Sequence, residues 1–185
     1  QSGEVASGLA VKTIHDYYAE SLLSEEDEAA IRSRLLGWPF KRRKPEHSEE
    51  RRLVQSVLLA NKNIFTHSVE NEDCRGMGTT IVGAFFLESG AYLVHVGDSR
   101  CYRYRNGELT QLTLDHSLAN EYIQMGILQP DEVENFPYRN VITRACGLND
   151  SVEPEVDFRP LEDGDLYLFC SDGLTDPLPD DRIAA

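Results

Sequence analysis

The stretch from Thr79 to Arg105 constrains the fold more tightly than any other part of the chain. Three apolar or β-branched runs, Thr79 to Leu87, Ala91 to Val96 and Cys101 to Arg105, are separated by only Ser89-Gly90 and Gly97-Asp98-Ser99, and Asn106-Gly107 follows the third. Runs of this kind, bounded by Gly, Asn and Ser, read as strands. Connections this short cannot contain the crossover that parallel strands need, so the strands are antiparallel. Asn-Gly tolerates positive φ at both turn positions and is the strongest short-range hairpin signal in the chain. The spacing predicts an antiparallel meander.

Helical patterns flank it. Val5, Leu9, Ile14, Tyr17 and Tyr18 recur at helical spacing near the start, and Leu53, Val57, Leu58 and Ile64 form a second stripe that ends near Asn71. Gly76-Met77-Gly78 breaks that pattern and marks the change of class. Residues 21–50 are polar and charged apart from a patch around Trp38-Pro39-Phe40, and read as an insertion or long loop, partly helical between Glu26 and Leu36. Downstream, Asp115 to Gly126 regains helical spacing, with Asp115 or Ser117 as N-cap. Val141 to Arg144 and Asp165 to Cys170 read as further strands, and Pro179 to Ile183 as the first turn of a helix. The expected class is α+β, one domain over residues 1–185 in which helices cover antiparallel sheet, with both ends reading as severed.

Composition narrows the function. A chain of 185 residues with 41% hydrophobic content suits one domain with a sizeable core. Its longest apolar runs fall far short of the ~20 residues that cross a bilayer, so no membrane association is expected. A net charge of −14 repels nucleic acid. Phosphate groups need help to approach, from the Lys41-Arg42-Arg43-Lys44 cluster or from a divalent cation that reverses the local field. The cluster sits in a polar stretch and reads as a solvated loop. Cys74, Cys101, Cys146 and Cys170 form no CxxC pair and match no zinc spacing, which points to reduced thiols and a cytoplasmic location.

Two carboxylates stand where chemistry is built. Leu93 to Val96 leads into Gly97-Asp98, and Leu166 to Cys170 into Ser171-Asp172-Gly173, so each aspartate follows directly on an apolar strand. A core strand fixes where the oxygens point, and the adjacent glycines allow tight turns. Hard cations such as Mg²⁺ and Mn²⁺ take such oxygens. Asp beside Gly equally stabilises turns by itself, so these residues alone leave both readings open. His116 reads as a cap or surface contact rather than a proton donor, Arg144 equally as a phosphate contact or as the partner of a nearby acid, and Asn71-Glu72-Asp73 as a helix-terminal loop.

The ordered set Ser2-Gly3-Glu4-Val5-Ala6-Ser7, Gly76-Met77-Gly78-Thr79-Thr80, Val96-Gly97-Asp98-Ser99-Arg100, Thr113-Leu114-Asp115-His116-Ser117, Asn140 to Ala145 and Ser171-Asp172-Gly173-Leu174-Thr175-Asp176 resembles the metal-dependent (type 2C) protein phosphatases of bacteria. That resemblance implies a β-sandwich of antiparallel sheets flanked by helices, and hydrolysis of phosphoserine or phosphothreonine by metal-activated water. Asp172 and Asp98 are then the catalytic, metal-binding residues for Mn²⁺ or Mg²⁺, two or three ions in a complete domain. Residues 117–139 correspond to a flap beside the site. The implied partners are phosphoproteins, the targets of a serine/threonine kinase, in cytoplasmic signalling. The family's phosphate-binding arginine, Asp-Gly pair and final Asp-Asn motif have no match in these residues, so the chain by itself is expected to be inactive. The alternative is a phosphatase-like regulatory or binding module without catalysis.

Overall fold

The computed structural model describes residues 2–21 and 48–185. Residues 22–47, which hold nearly all of the expected insertion, its helix from Glu26 and the basic run at Lys41, lie outside the described residues.

Helices α1 (Ser2–Ser21) and α2 (Ser48–Glu70) pack against each other as an antiparallel pair. The pairing is fixed by Tyr17 Oη donating to Gln55 Oε1 at 2.9 Å and Asn63 Nδ2 donating to Thr13 Oγ1 at 3.1 Å. The buried stripe of α1 is Ala6, Ala10, Thr13 and Tyr17, with small residues where the helices approach closely. Val5, expected on that stripe, is 39% exposed, while Leu9, Ile14 and Tyr18 pack at its margin. On α2 the expected Leu53, Val57 and Ile64 are buried and Ala60 joins them, whereas Leu58, expected on the stripe, is only partly buried. A short 3₁₀ turn over Glu72–Cys74 ends this part, so Asn71-Glu72-Asp73 is the helix-terminal segment expected.

Two three-stranded antiparallel sheets follow. The first has the order β1 (Ile81–Leu87), β2 (Gly90–Val96), β5 (Glu155–Arg159), and the second β4 (Glu108–Gln111), β3 (Arg100–Arg105), β6 (Leu166–Cys170). Asn106 (φ 53°) and Gly107 (φ 85°) turn β3 into β4 with positive φ at both positions, the hairpin the dipeptide predicts. The single meander is corrected: β2 and β3 do not pair. β2 lies between β1 and β5, and β3 between β4 and β6, so Gly97-Asp98-Ser99 carries the chain from one sheet to the other. Gly97 (φ 106°) supplies the bend.

All seven residues of β2 are buried because the strand is covered on both faces. Tyr92, Val94 and Val96 meet Ala6, Ala10, Val57 and Ile64 of the helices. Ala91 and Leu93 turn the other way and pack with Cys101, Val82, Ala84 and Tyr167 between the sheets. Full burial of side chains such as Val57 and Ile64 contributes about 1.5–3 kcal/mol each. Cys101 and Cys146 are free, buried thiols, each pushed up to about 12 by desolvation, and act as small apolar residues.

Two further expectations change. Residues 141–144 form no strand; Val141 and Ile142 are exposed, and the segment bonds instead to the start of the next helix, Leu118 N–H to Val141 O at 2.9 Å and Thr143 N–H to His116 O at 2.8 Å. That helix, α3 (Leu118–Gln124), is capped by Ser117, whose hydroxyl accepts from Asn120 N–H. β5 carries only Val156 and Phe158 as apolar residues, too weak an alternation to announce a strand. Two short helices close the described chain, α4 (Asp172–Thr175) and α5 (Asp180–Ile183). No described helix is long and apolar enough to cross a membrane.

Candidate metal centre

The strands that carry Asp98 and Asp172 are direct neighbours. β3 and β6 pair antiparallel from Arg100↔Cys170 onward, so Asp98, two residues before Arg100, and Asp172, two residues after Cys170, leave the sheet at the same end. Asp172 opens α4 and is exposed; Asp98 is half-buried in the link between the sheets. Burial raises the Asp98 carboxyl above its ordinary range, and the negative charges of Asp172 and Asp115 raise it further. Among the described residues, no cationic side chain forms an ion pair with either aspartate. Two carboxylates brought to one end of the sheets by neighbouring strands, one half-buried and the other exposed, form a donor set of the kind that hard divalent cations take.

The residues around Asp98 are committed elsewhere, which holds the link in shape. Arg100 donates to both carboxylate oxygens of Asp115 at 2.7–3.0 Å and to Tyr102 Oη at 3.0 Å. Tyr102 Oη donates in turn to Asp180 at 3.0 Å. Ser99 and Thr80 share a hydroxyl hydrogen bond of 2.8 Å. Gly97 N–H donates to His116 Nδ1 at 3.1 Å, and His116 N–H donates to Gly97 O at 3.0 Å. The motif Asp115-His116 therefore grips the Gly97 to Arg100 link from both sides, with Asp98 at its centre.

A family model described as protein phosphatase 2C matches residues 1–184. The chain belongs to that family. The serine/threonine phosphatase stp of Listeria monocytogenes is 34% identical over 186 residues, which cover 99% of this chain and 65% of that protein. The phosphatase PstP of Mycobacterium tuberculosis is 40% identical over 131 residues, 70% of this chain and 25% of PstP. The crystal structure of M. tuberculosis PstP superposes with a TM-score of 0.78 at 32% identity, covering 99% of this chain and 68% of that one. A structure of the PstP catalytic domain in complex with two manganese ions gives 0.73, again at 32% identity, over 98% and 66%. The chain thus spans about 65% of the length of the Listeria phosphatase it matches.

Within this phosphatase 2C chain, part of the neighbourhood of Asp98 has no signature in the sequence. His116 is neither the cap, which is Ser117, nor a surface contact; it is buried, and its ring stacks on His95 of β2 with centroids 4.5 Å apart and planes at 21°. His116 Nε2 lies 3.1 Å from Glu155 Oε2 on β5 and 3.4 Å from Nη1 of Arg144, which among the described residues meets this ring and no acid. His95 and Glu155 gave no signal beyond one polar residue inside the apolar run Leu93 to Val96. The ligand atoms of His95, His116 and Glu155 lie within 4.8 Å of one another, yet they do not suit a metal ion. His95 Nε2 is 2.8 Å from Leu114 O and must donate to it, since a carbonyl cannot. Lone pairs lie in the ring planes, and two stacked rings cannot both aim at one ion ~2.1 Å away.

Proposed function

We propose that this chain is part of a metal-dependent serine/threonine protein phosphatase, a cytoplasmic signalling enzyme that removes phosphate from phosphoserine and phosphothreonine of proteins modified by a serine/threonine kinase. The observation that carries this reading is the delivery of Asp98 and Asp172 to the same end of the β3–β6 pair, in a chain of the phosphatase 2C family. Asp98 and Asp172 are the residues that would hold Mn²⁺ or Mg²⁺. When bound, such ions lower the pKa of water and offset the charge of a phosphoryl group. Asp98 and Asp172 supply the negative charge that retains the cation, while Arg100 and Asp115 neutralise each other and keep the link from relaxing. The cation also answers the charge problem, because an acidic surface repels phosphorylated substrates unless the site itself is made positive.

Residues 117–139 support the flap reading. The segment is tied at its base by Ser117 pairing with Ile142 and by Leu118 N–H to Val141 O, beside His116. Beyond that base it presents Met125, Ile127 and Tyr138 to solvent, apolar surface suited to the residues flanking a phosphorylated side chain. The test is phosphate release from a phosphothreonine peptide by the full-length protein in Mn²⁺. Release that stops on chelation and in Asp172→Asn is expected. No release by the full-length protein, or undiminished release in Asp172→Asn, overturns the reading, and the first result favours a regulatory module of the same fold.

A further inference from the structure

Beside the aspartates, the described residues hold a second polar group that metal binding does not explain: buried His95 and His116, with exposed Glu155 at their edge, drawn from β2, the segment before α3, and β5. Its hydrogen bonds specify one tautomer. A backbone amide can only donate, so His116 Nδ1 must accept from Gly97 N–H and carry no proton. The ring proton of neutral His116 then sits on Nε2 and is donated to Glu155 Oε2, so Arg144 Nη1, 3.4 Å from Nε2, is a second donor facing it and not a hydrogen-bond partner. His95 stacks on the ring and is itself fixed by its bond to Leu114 O, so the imidazole cannot tilt away from Gly97.

We propose that His116 is a positioning residue for the Asp98 link, acting through its Nδ1 lone pair on the Gly97 amide, with Glu155 holding the tautomer that leaves this lone pair free. Gly97 is the residue at which the chain leaves one sheet for the other, and it is bonded to His116 through both its N–H and its C=O. Fixing both groups fixes the direction in which the next residue, Asp98, projects. Ligand orientation by such outer contacts is worth roughly 10–100-fold in metal affinity in other metal sites. For its effect on metal the inference rests on the phosphatase reading; for its effect on Gly97 it does not.

Two substitutions separate the atoms. Asparagine places its acceptor about where Nδ1 stands, whereas glutamine carries its polar group one bond further, toward Nε2. In the metal-free full-length protein, amide exchange at Gly97 is expected to accelerate roughly 10-fold in His116→Gln and to stay within about 3-fold of wild type in His116→Asn, as loss of one buried hydrogen bond predicts. Mn²⁺ affinity by calorimetry should fall roughly 10-fold or more in the first variant and little in the second. Equal Gly97 exchange in all three proteins, or equal loss of Mn²⁺ affinity in both variants, overturns the proposal. So does a wild-type ¹⁵N spectrum in which His116 carries its proton on Nδ1, a measurement that needs no variant. Absence of phosphate release by the wild-type enzyme sinks the phosphatase reading instead, and leaves the exchange and tautomer results to decide this one.

Discussion

Arg100 and Asp115 form a fork-to-fork pair, Nε and Nη2 of the guanidinium meeting both carboxylate oxygens at 2.7–3.0 Å, with side chains only 28% and 11% exposed. Both residues flank Asp98 in space without pairing with it, so the charges nearest the candidate site cancel each other. Charge-assisted forks of this kind are about twice as strong as neutral hydrogen bonds. A double-mutant cycle on Arg100→Ala and Asp115→Ala, read by urea unfolding of the full-length protein, should give a coupling of about 1–3 kcal/mol. Arg100→Lys retains the charge and loses the fork, and should recover less than half of that coupling.

Gly97 and Gly107 both have positive φ, but in different surroundings. A Cβ added at Gly97 would lie 2.3 Å from Thr80 Cγ2, while nothing lies within 4 Å of one at Gly107. Gly107→Ala should cost about 1 kcal/mol, from backbone strain alone. Gly97→Ala adds a clash against a residue whose hydroxyl is already bonded to Ser99, and should cost roughly 2–4 kcal/mol. Denaturant midpoints of the two variants check the order; a Gly107→Ala loss as large as that of Gly97→Ala contradicts it.

Much of this architecture is legible in the residues. Local signals act over a few positions, and they hold: Asn106-Gly107 makes its hairpin, Leu53, Val57 and Ile64 are buried, and Asp98 and Asp172 each stand just beyond an apolar strand. What fails is partner choice. A short link such as Gly97-Asp98-Ser99 looks like a hairpin turn when only its length is read, yet β2 and β3 each find better partners at least 60 residues along the chain, in β5 and β6. His95 and Glu155 escape notice for the same reason. Neither has a local pattern, and they become a group with His116 only once β5 pairs with β2.

Asp98 carries opposed demands from folding and from the proposed cation. Its carboxyl is raised above its ordinary value of 3.8 by burial and by neighbouring acids, so the folded state holds its proton more tightly than the unfolded chain. Stability from this group is therefore present at low pH and is lost as pH rises from about that value through the folded one. In chelator-treated full-length protein at pH 7, Asp98→Asn should melt at or above the wild-type temperature, and the difference should vanish below pH ~4, near the unfolded carboxyl value. Added Mn²⁺ should reverse the order, raising the wild-type melting temperature more than that of the variant. A variant less stable than wild type without metal at pH 7 contradicts this account.

His116 gives the opposite dependence. Burial lowers its pKa below the ordinary 6.5, with His95 and Arg144 acting in the same direction and Glu155 against them. The unfolded chain therefore takes up the proton first as pH falls. The stability tied to neutral His116 is complete above pH ~6.5 and is lost below it, toward the folded value, at up to about 1.4 kcal/mol per pH unit. The hydrogen-bond geometry points the same way, because a proton on Nδ1 would face the Gly97 N–H 3.1 Å away. Unfolding free energies of wild type and His116→Asn between pH 8 and 5 isolate the effect, since groups that do not touch His116 behave alike in both proteins and cancel in the difference. Wild type should lose its advantage over the variant as pH drops through 6.5, and parallel curves across that range would show that His116 tolerates the proton in place.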